Sequence, residues 1–364
     1  MTLILSNEEI GELLTIDMAI DAVEDAQIAL ADKRAISSPR VDTLSPATNK
    51  SIDGTYGLKM MNGVYPEREA AVLRINSDVL YWPEVAGNVR RDRLPNKEGR
   101  WNGLVLLFST ETGEPLMISP DGYISRFRVG ATNGLGARCL SREDAKVLAL
   151  MGTGWQAGGQ LRALCAVRDI EEVRIFSPTE EHRKKFCEEH QPFLNAKLVA
   201  VSSPEEAIEN ADIIASATNS MEPIFKDSWI RPGVHFSAVK VQEVALPFME
   251  AMDVVGLFSK DPRTTRPQFH MMESVADTPQ KVSGWLGWWV QRELPVWDRI
   301  LELPDLLTGK TIGREGDEQT TLFVNNVGQG LQFAAVAKKV YDAAVEKKVG
   351  KEFPTEWFTQ DVHP

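Results

Sequence analysis

The chain has 364 residues, 43% of them hydrophobic and 25% charged, which is enough for two or three soluble globular domains. Its 52 acidic residues outnumber its 40 basic residues and give a net charge of −12, which argues against binding to nucleic acid or to an anionic membrane surface, since both require a basic face. Three cysteines without a C-x-x-C pair and five scattered histidines predict neither a disulfide framework nor a metal site.

The odd number of cysteines fits a reducing cytoplasm, and the amino-terminal residues do not predict a signal peptide. They lack the basic and apolar segments of a signal peptide, and no apolar run approaches the roughly 18 residues that span a bilayer. Ser6 and Glu9 form an S-x-x-E capping box. Apolar residues then recur at helical spacing from Ala19 to Leu30.

Residues 40–120 predict a small, mainly antiparallel unit. Short apolar stretches broken by Gly, Pro and Asn predict strands at residues 56–61 and 104–108. Residues 111–114, Glu-Thr-Gly-Glu, predict a hairpin turn that leads into a further strand. The polar residues 81–102 predict a long loop, which we interpret as an insertion.

Strand and helix patterns alternate from about Tyr123 onward, which predicts a parallel sheet covered by helices. The predicted strands are 146–151, 173–177, 198–201, 213–217, 234–239 and 252–258, and the predicted helices are 156–167 and 180–190. The tryptophan-rich segment 285–297 predicts a core or interface element. Residues from Thr320 to about Lys348 predict one long final helix.

A dinucleotide-binding turn follows the strand at residues 146–151. Its sequence is Gly152-Thr153-Gly154-Trp155-Gln156-Ala157, which is G-x-G-x-x-A between a strand and a helix. Gly152 permits the tight turn, Gly154 lets the backbone approach a pyrophosphate, and Ala157 allows close packing of helix on strand. The alternative is a glycine-rich turn without a ligand.

The end of the next strand favours NADP(H) over NAD(H). NAD-selective sites place an acidic residue there to bind the ribose 2′-hydroxyl. This chain has Ser177 instead, with Thr179, His182, Arg183 and Lys184 behind it. Hydroxyls and cations suit a 2′-phosphate, although the two basic residues also fit a solvated helix face.

Two further strand ends are predicted to line the nicotinamide side of a cofactor. Ala217, Thr218 and Asn219 follow an apolar strand, and Val239 ends the next one. These residues also fit ordinary strand ends.

Four motifs in order resemble the ornithine cyclodeaminase/mu-crystallin family over nearly the whole chain. They are Y-G-L-K-M-M-N-G at 56–63, T-G-E-P-L at 112–116 with I-S-R-F-R-V-G-A at 124–131, the turn at 152–157, and L-F-V-N-N-V-G at 322–328. The resemblance implies an α/β fold in which a Rossmann dinucleotide-binding domain (123–324) is inserted into a smaller α+β domain (1–122 plus 325–364). The smaller domain would bind the substrate and form a homodimer through its sheet.

The resemblance also implies three cationic site residues. Arg128 matches the family's carboxylate-binding arginine, Lys59 matches a lysine beside the reacting nitrogen or carboxylate, and Arg40 matches a further arginine near the same group. A guanidinium holds a carboxylate in bidentate geometry. A lysine near arginines has its charged form disfavoured, so it can exchange protons near neutral pH.

The chain also departs from the family pattern. Val129 replaces a threonine that many members carry after the arginine, and Gln332 stands where the last helix often has an aspartate. The aspartate of cyclodeaminases is missing after residue 239, and Glu243 is the nearest acid and our candidate acid–base group.

The first hypothesis is therefore an NAD(P)-dependent enzyme that reduces an α-imino or α-keto acid to an amino acid. The second is a cyclodeaminase that uses bound NAD+, and the third is a non-catalytic, NADP-bound binding protein of mu-crystallin type. All three predict a small amino, keto or imino acid as ligand.

Overall fold

Two large sheets organise the residues that the computed structural model describes, which are 1–85, 87–260, 265–268 and 296–362. The helices of these residues are α1 (Asn7–Leu13), α2 (Ile16–Ala31), α3 (Gly122–Leu140), α4 (Trp155–Val167), α5 (Glu180–His190), α6 (Pro204–Ile208), α7 (Leu246–Glu250), α8 (Leu303–Leu307) and α9 (Gly330–Lys347). Their strands are β1 (Thr2–Ile4), β2 (Ile36–Ser37), β3 (Arg40–Pro46), β4 (Gly54–Tyr65), β5 (Ala70–Tyr81), β6 (Glu84–Val85), β7 (Asn88–Val89), β8 (Asp92–Arg93), β9 (Asn102–Ser109), β10 (Pro115–Pro120), β11 (Val147–Met151), β12 (Glu172–Phe176), β13 (Lys197–Ala200), β14 (Ile213–Ser216), β15 (His235–Ala238), β16 (Val254–Leu257), β17 (Thr265–Gln268), β18 (Leu301–Glu302), β19 (Thr321–Val324) and β20 (Lys351–Phe353). Residues 285–295 of the tryptophan-rich segment lie outside the described residues.

The first sheet is mainly antiparallel, as predicted. Its strand order is β17-β3-β4-β5-β9-β10-β1-β20, with β2 beside β4 and β8 beside β5. Alternate residues of β4 and β5 are buried, which places one face of the sheet against α2 and α9. The predicted capping box of α1 is confirmed, since the Glu9 N–H donates to Ser6 Oγ at 3.1 Å and the Ser6 N–H donates to the Glu9 carboxylate at 2.7 Å.

The second sheet is parallel throughout and runs in the order β13-β12-β11-β14-β15-β19-β16-β18. From β11 the chain builds outward to β12 and β13 on one side, and β14 and β15 then extend the other side. This is the doubly wound order of a Rossmann sheet. The predicted fold class is confirmed. In the sequence, the strands of this parallel sheet lie between strand β10 and strand β20, which both belong to the first sheet.

Two predictions of local structure are wrong. Residues predicted as the start of the final helix form β19, a fully buried strand between β15 and β16, and the helix begins only at Gly330. A strand buried on both faces is a continuous apolar run, so its sequence lacks the alternation that identifies a half-buried strand. The predicted loop 81–102 contains the three short strands β6, β7 and β8, and β8 pairs with β5.

Helix α9 and strand β4 touch through their backbones at Gly63 and Gly330. A Cβ on Gly63 would lie 2.4 Å from the backbone nitrogen of Leu331, and a Cβ on Gly330 would lie 2.1 Å from the backbone of Asn62. These distances are far below van der Waals contact, and backbone atoms cannot rotate away. The contact brings the start of α9 to the middle of β4, next to the candidate site.

We expect the substitution Gly63→Ala to lower the free energy of unfolding by about 1–3 kcal/mol, because the new methyl group must displace the first turn of α9. The measurement is the midpoint of thermal unfolding. Gly316→Ala is the matched control, since a Cβ there meets no atom within 4 Å. Equal midpoints for both variants would contradict the close approach.

Candidate active site

The carboxyl ends of β11 and β14 form the crevice where doubly wound sheets bind their ligands. The turn after β11 begins at Gly152, whose φ of +111° is in the region that favours glycine. A Cβ on Gly152 would lie 2.4 Å from the carbonyl oxygen of Ala217, which follows β14. The structure therefore brings two of the predicted cofactor segments into contact.

The turn fits the pyrophosphate of a dinucleotide. At Gly154, the residue before α4, no atom lies within 4 Å of the position of a Cβ, so the backbone is open to a ligand. The unpaired N–H groups and the positive dipole end of α4 face the same side. Ala157 is fully buried under the turn, and the buried Gln156 Oε1 has no hydrogen-bond partner among the described residues.

Trp155 is an exposed aromatic residue of the turn, and 46% of its surface is accessible. Its indole N–H donates to the Gly122 carbonyl at 3.2 Å, and the guanidinium carbon of Arg126 lies 4.2 Å from the centre of its ring. These contacts fix Trp155 as a wall of the crevice between α3 and α4.

Ser177 and Arg183 lie where the adenosine ribose of a dinucleotide is expected. Ser177 follows β12 and accepts a hydrogen bond from the Thr153 hydroxyl at 3.2 Å, so it lies beside the glycine turn. Arg183 is buried and donates to the Ser177 carbonyl at 2.6 Å. Lys184 instead forms an exposed ion pair with Glu180 at 2.7 Å. Arg183 therefore faces the strand end, while Lys184 belongs to the solvated helix face.

Thr218 is held in place by Glu243. The fully buried Glu243 carboxylate accepts hydrogen bonds from the Thr218 N–H and from the Thr218 hydroxyl, both at 2.7 Å, and from the Lys240 N–H at 3.2 Å. The Val239 N–H donates to the Ser216 carbonyl at 3.2 Å, which continues the pairing of β15 with β14. Glu243 thus positions the turn after β14. Its role as an acid–base group stays a prediction, and the three hydrogen bonds do not favour it because they stabilise the ionised carboxylate inside the protein.

Lys59 is a buried cation on the inner face of β4. It is 3% exposed, and its ammonium donates to the Asp78 carboxylate on β5 at 2.8 Å. Burial lowers the pKa of Lys59 to about 8 against the opposing effect of Asp78, and the charges of Arg40 and Arg93 lower it further. A Cβ on Gly57 would lie 3.0 Å from Lys59 Cε, so the glycine gives the lysine its room.

Arg40 lies beside Lys59, across the β3–β4 pair. Its Nε donates to the buried Asp42 at 2.7 Å, and Asp42 is the cross-strand partner of Lys59. The positive charge of Arg40 also lowers the pKa of Arg74 and of Arg128. Arg40 is therefore a common neighbour of the other cations of the site.

Arg128 is a buried cation with a neutral partner. Its guanidinium donates to the Gln332 side-chain oxygen at 2.9 Å and lies 4.4 Å from the centre of the Phe333 ring. Gln332 in turn donates to Thr132 at 2.6 Å, so the amide is fixed. Burial, together with the charges of Arg74 and Arg40, lowers the pKa of Arg128 to about 9, and the group stays a cation at neutral pH.

Residues 87–93, which we call the bridging segment, connect the two parts of the crevice. The Arg91 N–H donates to the Asn219 carbonyl at 3.1 Å, and the Met221 N–H donates to the Val89 carbonyl at 3.1 Å. At its other end Arg93 lies 3.7 Å from the Asp78 carboxylate that holds Lys59. The segment therefore fastens the turn after β14 to the lysine site.

Several residues of the site carry no recognisable sequence motif. Asp78 and Arg74 lie on β5, which the sequence prediction did not identify as a strand. Arg74 Nε donates to Asp121 at 2.8 Å, in front of α3. The available signal was the spacing of Arg74, Asn76 and Asp78, since polar residues two apart in an apolar run share one face of a strand.

Three further titratable side chains lie in the core or at its edge. His235 is fully buried on β15, where its Nδ1 bonds the Thr321 hydroxyl at 2.8 Å and its Nε2 has no hydrogen-bond partner among the described residues. Cys139 and Cys165 lie on α3 and α4, and burial raises the pKa of both thiols, that of Cys165 to about 12. Among the described residues, no helix is long and apolar enough to cross a membrane.

Comparison with known proteins shows the family of the chain. The model of the ornithine cyclodeaminase/mu-crystallin family matches residues 1–348. The chain is 34% identical over 250 residues to a Delta(1)-pyrroline-2-carboxylate reductase of Bacillus cereus. The aligned region covers 69% of this chain and 73% of that protein. The chain is also 30% identical over 360 residues to an alanine dehydrogenase of Archaeoglobus fulgidus. That alignment covers 96% of this chain and 98% of the dehydrogenase.

Solved structures share the fold. The structure of Thermococcus litoralis Delta(1)-pyrroline-2-carboxylate reductase in complex with NADH and L-proline superposes with a TM-score of 0.77 at 27% identity, over 97% of this chain and 100% of that chain.

Proposed function

The chain belongs to the ornithine cyclodeaminase/mu-crystallin family, and on that premise we propose that it is an NAD(P)-dependent oxidoreductase that reduces an α-imino or α-keto acid to an amino acid. The relatives named above are a reductase of a cyclic imino acid and a dehydrogenase of an amino acid, which supports this reaction type. The observation that carries the proposal is the pair of buried cations, Lys59 and Arg128, in a crevice that fits a dinucleotide.

Each residue has a role in the proposed reaction. When bound, the nicotinamide cofactor supplies a hydride to the α-carbon of the substrate. Arg128, helped by Arg40, binds the substrate carboxylate and so fixes the orientation of the α-carbon. Lys59 donates its proton to the imine nitrogen, which receives the electron pair of the C=N bond. Asp78 holds the lysine ammonium in position.

An assay with reduced cofactor tests the proposal. The protein is mixed with NADPH or NADH, a panel of α-keto acids, and ammonia or methylamine, and the absorbance of the reduced nicotinamide is followed. We expect net consumption of the reduced cofactor. In a separate mixture of the protein with NAD+ and a diamino acid, without added amine, release of ammonia with no net change in the cofactor would instead indicate a cyclodeaminase. Cofactor binding without any reaction would indicate a binding protein of mu-crystallin type.

We also propose that NADP(H) is preferred over NAD(H). The support is the position of Ser177 beside the glycine turn, together with the Thr179 backbone and the buried Arg183 at the same strand end. No acidic side chain occupies position 177 to receive a ribose 2′-hydroxyl. The related structure named above contains NADH, so cofactor choice differs within the family if the proposal holds.

The substitution Ser177→Asp should reverse this preference. A carboxylate repels a 2′-phosphate and accepts a hydrogen bond from a 2′-hydroxyl, so we expect the Kd of NADPH to rise by at least about tenfold, or roughly 1.4 kcal/mol, while that of NADH falls. Titration of both cofactors by fluorescence measures the change. A native protein that binds NADH more tightly than NADPH would contradict the proposal.

We further propose a homodimer formed through the first sheet, with residues 1–122 and 325–364 as the dimerisation domain and 123–324 as the nucleotide domain. The outer face of this sheet carries the apolar side chains of Leu58, Leu73, Ile75 and Leu106, all half-buried, and of Leu104, which is 46% exposed. An apolar face of this kind is typical of an interface.

Light scattering should give about twice the monomer mass of 40.5 kDa. The double variant Ile75→Asp/Leu104→Asp should shift the mass towards that of the monomer, because each charge would be buried without a partner at the interface. A wild-type protein that is monomeric at all concentrations would contradict the dimer.

Two finer assignments complete the proposal. We place the protein in the cytoplasm, in line with its cysteine usage. Within the family, its motifs resemble members that are named after a tyramine oxidase, and we propose that it groups with them, although that name specifies no reaction.

A further inference from the structure

Gln332 is a buried amide that contacts the arginine assigned to the substrate carboxylate. It is fully buried in the first turn of α9. Its Oε1 accepts two hydrogen bonds, one from Arg128 Nη1 at 2.9 Å and one from the Gln329 N–H at 3.1 Å. An amide oxygen has two lone pairs, so both are used and the two donors fix its position.

Thr132 determines which way the Gln332 amide faces. The Thr132 hydroxyl donates its single proton to the Arg128 carbonyl, one turn earlier on α3, at 2.9 Å. Its oxygen can then only accept, and it accepts a hydrogen bond from Gln332 Nε2 at 2.6 Å. Rotation of the amide by 180° would bring its NH2 group against the guanidinium and its oxygen against the hydroxyl oxygen. The hydroxyl therefore keeps the amide oxygen on Arg128.

The guanidinium of Arg128 is held at Nη1 and on its face. Its central carbon lies 4.4 Å from the centre of the Phe333 ring, and a Cβ on Gly328 would lie 2.7 Å from Nη1. Arg128 is only 6% exposed, yet its Nε has no hydrogen-bond partner among the described residues. The edge of the fork that includes Nε therefore remains for a carboxylate.

A second arginine on the same ring allows a comparison within the molecule. The guanidinium carbon of Arg74 lies 5.4 Å from the centre of the Phe333 ring, but its Nε donates to the Asp121 carboxylate at 2.8 Å. A carboxylate partner offsets the charge of a guanidinium, whereas an amide oxygen orients the group without adding a negative charge. Arg74 is thus fixed by an anion, and Arg128 is fixed by a neutral group.

We propose that Gln332 is a positioning residue that keeps the charge of Arg128 available for the substrate. It orients the guanidinium through a neutral oxygen, and this neutrality sets the affinity of the site for a carboxylate. The inference rests on the proposed function, in which Arg128 binds the α-carboxylate. It assigns part of that affinity to residue 332, which does not itself touch the substrate.

The substitution Gln332→Glu tests the inference, because it adds a negative charge with almost no change of shape. The assay uses cofactor-bound protein and the α-keto acid that the wild type reduces with the highest kcat/KM. We expect KM to rise at least about tenfold, since the new carboxylate pairs with Arg128 and competes with that of the substrate, while kcat stays within about threefold. The Ki of the corresponding carboxamide as a competitive inhibitor should change by less than about threefold, because this compound has no carboxylate to bind.

Further variants separate charge from position. Gln332→Met stays neutral but loses the acceptor, so it should lower kcat by about tenfold and raise KM less than Gln332→Glu does. Thr132→Val releases the amide and should lower kcat/KM by about tenfold, whereas Thr132→Ser keeps the hydroxyl and should restore most of it. Gln360→Glu is the matched control, since it makes the same chemical change at an exposed position. Thermal unfolding curves verify the fold of each variant.

The outcomes separate this inference from the proposed function. A KM of Gln332→Glu within threefold of the wild type overturns the inference, and so do equal losses for the acid and its carboxamide, since Gln332 would then be structural. The proposed function stands in both cases. If Gln332→Glu does not fold, the Thr132 variants decide, and equal activities of Thr132→Val and Thr132→Ser overturn the inference.

A binding measurement covers the case in which the wild type reduces no α-keto acid and the proposed function fails. The Kd of pyruvate for the cofactor-bound protein is then measured by calorimetry. A Kd at least about tenfold higher in Gln332→Glu than in the wild type supports the role of Gln332. Equal values, or no binding to the wild type, overturn it together with the proposed function.

Discussion

The substitution Lys59→Met should lower kcat by about 100- to 10,000-fold, which is the usual contribution of a positioned proton donor. Lys59 is buried on the inner face of β4 and paired with Asp78, so solvent cannot take over the proton transfer at the same place. The side chain of methionine is of similar length and fills the space beside Gly57. Asp78 keeps Arg93 as a neighbour, which limits the loss of stability.

The Kd of the cofactor should not change in this variant, because the glycine turn at residues 152–157 belongs to the other sheet. Steady-state kinetics beside a cofactor titration measure both quantities, and a thermal unfolding curve verifies the fold. If Lys59→Met keeps a kcat near that of the wild type on a confirmed substrate, Lys59 is only a strand residue and the assigned site is wrong.

Lys59 also sets the expected pH dependence. With its pKa lowered to about 8, the ammonium is present below that pH and is lost as the pH rises through it. The rate of reduction, which needs the proton, should therefore fall by about tenfold per pH unit above 8. The rate of oxidation needs the neutral amine and should rise up to the same pH. The variant should lack this pKa in both directions.

The substitution Arg128→Lys should lower kcat/KM by about 30- to 1000-fold, or roughly 2–4 kcal/mol. Lysine keeps the charge but loses the planar fork that binds a carboxylate through two parallel bonds. It also loses the contact with the Phe333 ring and cannot keep the bond to Gln332 in the same geometry.

The comparison of KM and kcat shows which step Arg128 serves. A residue that binds the substrate equally in the ground state and in the transition state changes mainly KM, whereas one that also orients the α-carbon changes kcat as well. We expect both to change. The pKa near 8 from Lys59 should persist in Arg128→Lys, which distinguishes this variant from Lys59→Met.

The parts of the site that depend on local sequence were predictable. The turn at residues 152–157 is a contiguous pattern between a strand and a helix, and its two glycines have the geometry that the pattern requires. Lys59 was recognisable because a lysine inside an apolar strand demands an explanation.

The partners of these residues were not predictable from sequence, since they come from other strands. Asp78 and Asp42 meet Lys59 only through the register of β3, β4 and β5, and a shift of one residue would turn them to the opposite face. Gln332 reaches Arg128 across 204 residues of chain, and no local pattern encodes that distance. The contact of Glu243 with Thr218 was equally hidden, because the sequence placed Glu243 near the end of β15 and gave no sign that its carboxylate accepts hydrogen bonds from the turn after β14.

The bridging segment has a kinetic consequence for the exchange of cofactor. It is fastened to the turn after β14 by backbone hydrogen bonds to Asn219 and Met221, and such bonds contribute a net 0.5–1.5 kcal/mol each, to order of magnitude. Two of them make the attached form roughly 5- to 150-fold more populated than a form in which the segment has detached from this turn. The segment can thus detach without global unfolding, and we expect the residence time of the cofactor to depend on how often these two bonds break.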